Sequence, residues 1–481
     1  MFNSFLNLLN KIVTLGMLKK ECLNVVWFKR DLRLSDHRPL NEALAGVSKV
    51  LLLFVEEEIL TSSIQYSERH WNFIKQSLID MNSELDDLDA AVFSCRAECI
   101  NLFKRLTERY EVQGVYSYVE SDIPVTYKRN NKISRFFKNN GISWYQFPRN
   151  GVVSDSGVTE QWRRNWINFI SAPIVTATLV SEKFLTREDL LALHTFISPL
   201  DLNFVLDKSF QIGGRKKALE LLNSFLNESL SDEHSTKYGY SRLSPYLSWG
   251  NLSLREVYKF VQKFKFEKTD VFKRNSFLER LYSQSEYIQN FEREHSSEQS
   301  DLIWAKQKLK PGVSKKYQDA WKSATTGIPI IDACMICLEK TGYLSYDMRT
   351  LLVCFFTQDL LQPWQDAAAF LSSLFLDFHP GVHYPQLEAL QGKISRDITF
   401  ENHPISFSKN TDSEGLFIKK WIPQLANLPV KYIHEPYLMS PLEQQIYNIV
   451  LGKDYPKPIV DLLPPKGYNS NTGTDNTKSI A

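Results

Sequence analysis

Five short apolar segments that alternate with helical stretches constrain the fold of this chain more than any other feature. The segments are residues 24–28, 50–55, 90–94, 114–118 and 143–147. Between them, residues 68–88 and 124–140 carry apolar side chains at helical spacing. Strands and helices in this order build a parallel sheet that is covered by helices. The sequence therefore predicts a doubly wound α/β domain over residues 17–150.

The segment after the first predicted strand argues against a standard dinucleotide site in this domain. Doubly wound domains bind ligands beyond the carboxyl ends of their strands, and the dinucleotide type has a glycine-rich loop there. This chain has the charged sequence KRDLRLSD at residues 29–36 instead. We therefore expect no standard dinucleotide site in the α/β domain.

The rest of the chain divides into regions of different composition. A chain of 481 residues is expected to form two or three domains. Glycine, proline, serine and threonine interrupt the periodicity of residues 151–210, which predicts an interdomain connection. Residues 211–461 have helical spacing and few strand candidates, so we predict an all-α domain there. The polar residues 462–481 predict a disordered tail, and residues 1–16 are an extension of uncertain status.

Charge, cysteine content and motifs narrow the class of protein. The net charge is only +2, so overall electrostatics neither require nor exclude a nucleic-acid partner. The six cysteines are irregularly spaced and no convincing secretion signal is present, which predicts reduced thiols and a cytoplasmic protein. No apolar segment predicts a membrane span. The HExxH, GxSxG and Walker motifs do not occur, which argues against ordinary hydrolases and NTPases.

The sequence YSRLSPYLSWGNLSLREVY, residues 240–258, predicts an anion-binding site. Ser241, Arg242 and Ser244 lie just before Pro245, which favours the first turn of a helix. The free N–H groups and the positive dipole end of a helix start attract anions. A cofactor with a pyrophosphate group is therefore one hypothesis. The alternative is ordinary helix capping by Ser244, with Arg242 as a solvated neighbour.

Several long motifs occur in a characteristic order along most of the chain. They are VVWFKRDLRLSDHRPL, NGVVSDSGVTEQWRRNW, SRLSPYLSWGNLSLREVY, SEYIQNFE, TTGIPIIDACMICLEKTGY, MRTLLVCFFTQDLLQPW and SEGLFIKKWIPQL. Together they resemble the DNA photolyase and cryptochrome family. The resemblance implies an FAD in the helical domain whose blue-light redox chemistry the protein tunes. It also implies that a second, antenna chromophore of the folate or deazaflavin type can bind.

The resemblance implies a set of cofactor contacts. They are Ser241, Arg242, Leu243, Ser244, Arg349, Asp377, His379 and His383. The first four correspond to the loop around the FAD phosphates. Arg349 and Asp377 correspond to an ion pair beside the flavin, where a fixed guanidinium favours a negatively charged flavin; a simple tie between two helices is the alternative. His379 and His383 stand where relatives have acidic or amide residues. They are either groups that exchange a proton with the flavin or ordinary hydrogen-bonded core histidines.

The family's photoreduction uses a chain of aromatic side chains, and this chain matches it in part. Trp364 matches the middle member of the electron relay. The position of the member next to the flavin holds Leu387, and Tyr384 is the nearest aromatic substitute. Trp304 or Trp321 are the candidates for the surface end. The alternative for Trp364 is that it only packs in the core.

Lysines interleaved with aromatic residues predict a surface for damaged DNA. Lys263, Lys265 and Lys268 belong to such a run, and a photolyase needs cations for the phosphates that flank a flipped pyrimidine dimer. A solvated amphipathic helix is the alternative. Asp347 argues against repair, because relatives usually carry an arginine there and an acidic group repels phosphate.

Cys334 and Cys337 form a CxxC motif, which raises the question of a metal or iron–sulfur site. Only Cys354 lies nearby in sequence, so a four-thiol site lacks a ligand. We therefore expect no metal and interpret these residues as buried apolar thiols.

Three functions are consistent with these residues. The favoured one is a light-driven DNA photolyase that splits pyrimidine dimers with reduced FAD and has damaged DNA as its partner. The second is a cryptochrome-like blue-light photoreceptor without repair activity, with a signalling protein as its partner; Asp347 and the altered region after Asp377 motivate it. The third is a flavin-binding relative that has lost its photochemistry, which Leu387 suggests.

Overall fold

The computed structural model of the chain describes residues 20–153, 159–228, 241–264, 271–295, 313–393 and 403–462. The extension at residues 1–16 and nearly all of the predicted tail lie outside these ranges. Within the ranges, no helix combines the length and the apolar character needed to cross a bilayer.

Five strands form one parallel sheet. They are β1 (Cys22–Phe28), β2 (Lys49–Glu56), β3 (Phe93–Arg96), β4 (Glu111–Tyr118) and β5 (Ser143–Phe147). Their spatial order is β3-β2-β1-β4-β5, and Val26 of β1 lies opposite Leu52 of β2 and Tyr116 of β4. The predicted doubly wound sheet is confirmed. The strand β3 begins later than predicted, because the Val92 N–H donates to Asn82 Oδ1 (2.8 Å) rather than to β2.

Helices make up most of the remaining structure. They are α1 (Arg38–Ala45), α2 (Glu58–Thr61), α3 (Glu68–Leu85), α4 (Cys99–Arg109), α5 (Pro124–Asn139), α6 (Thr159–Ser171), α7 (Arg187–His194), α8 (Arg215–Glu228), α9 (Ser244–Ser248), α10 (Leu254–Lys263), α11 (Val271–His295), α12 (Lys315–Lys322), α13 (Pro329–Thr341), α14 (Tyr346–Cys354), α15 (Trp364–Leu374), α16 (Pro380–Lys393), α17 (Pro404–Thr411), α18 (Leu416–Trp421), α19 (Val430–Ile433) and α20 (Pro441–Ile446). Short 3₁₀ turns cover Asp86–Leu88, Ser181–Lys183, Pro423–Leu425 and Pro436–Leu438, and a π-helical turn covers Phe355–Asp359. The mostly helical character predicted for the second half is confirmed.

The segment predicted as an irregular connection, residues 151–210, contains the helices α6 and α7. In α6, Trp162, Trp166 and Ile170 are buried at four-residue spacing. The helix α7 begins at a capping box, in which the Thr186 hydroxyl accepts a hydrogen bond from the Asp189 N–H. Glycine, proline and serine residues on either side of these two helices hide their periodicity in the sequence.

Alternate residues of β1 belong to different cores, because side chains along a strand point to opposite faces of the sheet. Val25 and Trp27 pack in a core with residues of α4, α5 and α7. Val26 and Phe28 belong to a core that continues into the helical region. This shared core fixes the carboxyl ends of the strands against the helices that carry the predicted cofactor contacts.

Candidate functional site

The loop before α9 presents an arginine at the start of a helix. Arg242 has a left-handed backbone (φ 51°) and an exposed side chain, and its guanidinium carbon lies 4.8 Å from the centre of the Tyr343 ring. Gln211 Nε2 donates a hydrogen bond to the Arg242 carbonyl (2.9 Å). Leu243 occupies the N-cap position and Ser244 is the first helical residue. The interpretation of Ser244 as a helix cap is therefore wrong, and its N–H is one of those that a helix start leaves without an intrahelical acceptor.

The two ends of α9 are fixed by different contacts. At its start, the N–H of the buried Leu243 donates to Ser241 Oγ (3.4 Å). At its end, Ser248 Oγ donates to the Asp377 carbonyl (2.8 Å) and Trp249 Nε1 donates to the Leu376 carbonyl (2.9 Å). The structure therefore links the 241–244 loop to the segment that contains Asp377.

Arg349 of α14 and Asp377 form an ion pair beside this loop. Arg349 Nη2 donates to Asp377 Oδ2 at 2.6 Å, with side-chain exposures of 19% and 4%. The guanidinium also lies 4.0 Å from the Phe375 ring and 5.9 Å from the Tyr343 ring that Arg242 contacts. The two arginines therefore meet at Tyr343, and one of them is neutralised by a buried carboxylate.

Buried polar atoms of the segment around Asp377, and of the helix α11 that packs against α16, have no hydrogen-bond partner among the described residues. They are Asp377 Oδ1, His379 Nδ1 and Ser285 Oγ. His379 lies just before α16, and Ser285 lies on α11, where Ile288 packs against Gly381 of α16. Because buried polar groups are nearly always hydrogen-bonded, these atoms fit a ligand that supplies the missing partners. Ser285 could not be predicted from the sequence, since a single serine within a helix gives no signal by itself.

The two histidines of this region are buried and neutral near pH 7. His383 Nε2 hydrogen-bonds to the Ala368 carbonyl (2.9 Å), and burial lowers the pKa of His383 to about 4. Burial, with Arg30 and Arg149 nearby, holds the pKa of His379 well below its usual value. For His383, the carbonyl contact and the low pKa favour the interpretation as a hydrogen-bonded core histidine.

We expect His383 to make the protein sensitive to acid. Its folded pKa is depressed, so its contribution of about 3 kcal/mol is present above pH 6.5 and is lost as the pH falls from 6.5 to about 4. His383→Gln keeps an N–H donor near the position of Nε2 for the Ala368 carbonyl and does not titrate. Urea unfolding at about pH 7 and about pH 4.5 should show a smaller loss of unfolding free energy in this variant than in the wild type. Equal losses of unfolding free energy in the variant and the wild type would contradict the assignment of this acid sensitivity to His383. The loss that remains in the variant comes partly from His70, because burial also lowers the pKa of His70 to about 4.

The charged segment after β1 lies between the sheet and the residues around Asp377. Arg30 donates hydrogen bonds to Asp122 Oδ2 (2.6 Å), to the Phe378 carbonyl (2.9 Å) and to Tyr66 Oη (2.7 Å). Tyr66 in turn donates to Asp122 Oδ1 (2.7 Å), and all of these side chains are buried. This network could not be predicted from the sequence, because no local pattern relates Arg30, Tyr66 and Asp122, which lie far apart in the chain.

A cavity of about 240 Å³ opens where β4 and β5 end, next to α11. Its polar lining includes Gln146, Arg149, Glu292 and His379. Arg349 and the 241–244 loop do not line it. Among the predicted cofactor contacts, His379 alone lines this cavity.

The predicted electron relay is only partly connected in the structure. Trp364, the first residue of α15, is buried, and within the part of the chain that the structure describes no other aromatic ring contacts it. Tyr384 lies 6.1 Å from Phe378 between ring centres. Leu387 is buried. Trp321 is fully buried against Phe356 and Phe370, so its candidacy for the surface end is wrong; Trp304 lies outside the described residues.

The remaining predicted residues lie at the surface or in the core. Lys263 is exposed near the end of α10, whereas Lys265 and Lys268 lie outside the described residues. Asp347 is exposed in the first turn of α14.

The three thiols of the helical region are buried. Burial raises the pKa of Cys354 to about 12 and the pKa of Cys334 well above its usual value. These environments fit the apolar interpretation of the CxxC motif. The described residues contain no cluster of side chains that could hold a metal ion.

Two family descriptions match the chain in the order of its two regions. Residues 24–162 match the sequence model described as DNA photolyase, and residues 269–466 match the one described as FAD binding domain of DNA photolyase. The chain belongs to the DNA photolyase and cryptochrome family. The matched FAD-binding domain contains Arg349, Asp377, His379 and His383.

Relatives within the family carry two kinds of name. The chain is 25% identical to the deoxyribodipyrimidine photo-lyase of Alkalihalophilus pseudofirmus, over 92% of this chain and 95% of that protein. It is also 25% identical to cryptochrome-2 of Gallus gallus, over 92% of this chain and 81% of that protein. A solved cryptochrome structure from Synechocystis has a similar fold, with a TM-score of 0.78, 20% identity, and coverage of 92% of this chain and 98% of that one.

The residues of the site fit FAD. The exposed Arg242 and the N–H groups at the start of α9 suit phosphates, and the unpartnered Asp377 Oδ1 suits a hydrogen-bond donor of the ligand. Arg349 supplies a fixed positive charge. When bound, FAD supplies light absorption and one-electron chemistry. The protein supplies orientation, charge and protection from water.

Proposed function

We propose that this protein is a light-driven DNA photolyase that splits pyrimidine dimers with reduced FAD. The observation that carries the proposal is the ion pair between the partly buried Arg349 and the buried Asp377, which contacts the Arg242 loop through Tyr343. A guanidinium held beside the flavin favours its negatively charged reduced form, which is the form that can give an electron to a dimer. Ser241, Arg242, Leu243 and Ser244 hold the phosphates.

The proposal is tested with chemically reduced, FAD-loaded protein and an oligonucleotide that contains one pyrimidine dimer. We expect light-dependent loss of the dimer and none in the dark. Intact dimers after illumination of a protein that retains reduced FAD would rule out repair. That result would favour the second candidate function.

The second candidate is a cryptochrome-like photoreceptor that acts on a signalling protein. Asp347 is the observation that favours it, because this acidic side chain is exposed two residues before Arg349. A negative charge at this exposed helix start opposes the approach of DNA phosphates to the surface around it.

We expect Asp347→Arg to strengthen binding of dimer-containing DNA at low salt, because the substitution replaces a repulsive charge by an attractive one. The gain should be about tenfold and should shrink as salt rises. Asp347→Asn is the matched control, since it removes the negative charge without adding a positive one, and it should give an intermediate affinity. Fluorescence anisotropy with labelled duplex at several salt concentrations measures the affinity of each protein and its salt dependence. Equal affinities for all three proteins would show that Asp347 does not face the DNA.

The cavity of about 240 Å³ supports an antenna chromophore of the folate or deazaflavin type. Cavities somewhat smaller than this bind single aromatic rings, and Arg149 and Gln146 offer hydrogen bonds to a polar ring system. An absorption spectrum of the purified protein, compared before and after added chromophore, tests this part of the proposal.

A further inference from the structure

Aromatic rings connect the residues around Asp377 to the α/β region through Tyr66. The Phe378 ring lies 6.1 Å from Tyr384 and 5.7 Å from Tyr66 between ring centres. Tyr66 in turn lies 5.8 Å from Trp71 of α3. These four residues, Tyr384, Phe378, Tyr66 and Trp71, form an unbroken row of rings, here named the Tyr66 row. Phe378 follows Asp377 of the proposed flavin site directly in the chain, and the outer residue Trp71 is only half-buried.

The Tyr66 row differs in position from the relay that the family resemblance implies. The position expected to hold the first aromatic of that relay is Leu387, which has no oxidisable ring. Trp364 has no ring contact within the described residues. Electron hopping requires oxidisable side chains within a short distance of one another. Among the described residues, Tyr66 and Trp71 form such a pair, and Tyr66 lies 5.7 Å from Phe378, the residue that follows Asp377.

We propose that the Tyr66 row, with Tyr66 and Trp71 as its redox-active members, carries the electron that reduces light-excited oxidised flavin in this protein. The inference rests on the proposed function, because it places FAD beside Asp377. It assigns an electron supply to residues of the α/β region rather than to the helical region alone.

The hydrogen bonds of Tyr66 equip it for oxidation. A phenol is oxidised readily only when its proton can leave at the same time, and the Tyr66 hydroxyl donates to Asp122 Oδ1 at 2.7 Å. Tyr66 thus loses one electron towards the excited flavin and transfers its proton to the Asp122 carboxylate. The phenolic O–H bond breaks, an O–H bond forms on Asp122, and the net charge of the pair changes only by the departing electron.

Trp71 completes the sequence at the surface. Trp71 gives one electron to the Tyr66 radical, which takes its proton back from Asp122, and an external thiol then reduces the oxidised Trp71. One electron therefore passes from the thiol to the flavin. Trp71 also lines a small cavity of about 30 Å³ together with Tyr66 and Asp122, which has room for water beside the two relay residues.

The neighbouring Trp249 is a poorer electron donor than Tyr66 or Trp71. The guanidinium carbon of Arg30 lies 4.4 Å from the centre of the Trp249 ring. A fixed cation so close to the ring opposes the positive charge that oxidation would create. Tyr66 also receives a hydrogen bond from Arg30 (2.7 Å), but it avoids this penalty by giving up its proton to Asp122.

The test follows flavin photoreduction in full-length, FAD-loaded protein with an added thiol as the electron donor. We expect Tyr66→Phe and Trp71→Phe each to slow photoreduction by about tenfold or more. In the wild type, electron paramagnetic resonance under illumination should detect a tyrosyl radical that is absent from Tyr66→Phe. Photoreduction should also be slower in heavy water for the wild type. Trp144→Phe is the matched control, because Trp144 is another half-buried tryptophan of the α/β region that lies outside the Tyr66 row.

Several outcomes would overturn the proposal. Wild-type rates in Tyr66→Phe and Trp71→Phe would do so, as would FAD-loaded wild type that is not photoreduced, or a loss of photoreduction in Trp364→Phe alone. Trp71→Phe guards against misfolding of Tyr66→Phe, which loses buried hydrogen bonds. Flavin content and dimer repair by chemically reduced protein are measured on the same samples. These bypass photoreduction, so their failure would indicate failure of the proposed function rather than of the Tyr66 row.

Discussion

Arg349→Met is expected to lower the unfolding free energy by about 3 kcal/mol and to abolish FAD binding. The substitution leaves the buried Asp377 carboxylate without its partner at 2.6 Å, and an unpaired buried charge is strongly destabilising. It also removes the fixed positive charge beside the flavin. Urea unfolding of the FAD-free protein and flavin fluorescence titration measure the two effects separately.

The double variant Arg349→Met, Asp377→Leu is the control for this prediction. Replacing both partners of an ion pair by apolar groups is often nearly neutral for stability. We therefore expect the double variant to regain most of the lost unfolding free energy without regaining FAD binding. FAD binding by Arg349→Met at wild-type affinity would contradict the role of the ion pair in the site.

Gly250→Ala is expected to lower the unfolding free energy by about 3 kcal/mol or more. Gly250 has φ +77°, and an added Cβ would lie 2.6 Å from Asp31 Cα and closer still to the Arg30 carbonyl oxygen. Arg33 Nη1 also donates to the Gly250 carbonyl (2.9 Å). The clash would separate the segment after β1 from the end of α9. FAD affinity should therefore fall as well, since α9 is tied to Asp377 at that end.

Gly141→Ala is the matched control for the steric argument. Gly141 has a similar backbone (φ +68°), but nothing lies within 4 Å of an added Cβ. This variant should lose only the conformational term of about 1 kcal/mol. Thermal unfolding of both variants distinguishes the two contributions. If the two substitutions lower the unfolding free energy by the same amount, the close approach of Gly250 to the Arg30 backbone does not contribute to stability.

Local sequence patterns predicted the sheet well, because a buried strand can be recognised from its own apolar residues. The segments of β1 and β2 are buried on both faces, so each is a nearly continuous apolar run. The edge of β3 was misplaced, because the hydrogen bond from the Val92 N–H to Asn82 depends on the end of a neighbouring helix. The helices α6 and α7 were not predicted, since both are flanked by residues typical of loops and α7 has only 8 residues.

The site could be predicted only where the chain resembles a family. The resemblance named Arg349 and Asp377, and the structure places them in one ion pair. The Arg30, Tyr66 and Asp122 network could not be predicted, because its members come from three separate loops that only the folded sheet brings together. The role of the segment KRDLRLSD in joining the sheet to the helical region could not be predicted either, because it depends on tertiary contacts.

Equilibrium titration of the purified, flavin-free protein with FAD examines the proposed cofactor site itself. We expect saturable binding at the site formed by the Arg242 loop and the Arg349–Asp377 pair. Binding should weaken strongly in Arg242→Ala and be lost in Arg349→Met, with wild-type affinity in Gly141→Ala. Absence of saturable binding by the wild type, or undiminished binding by both arginine variants, would contradict the proposed cofactor site.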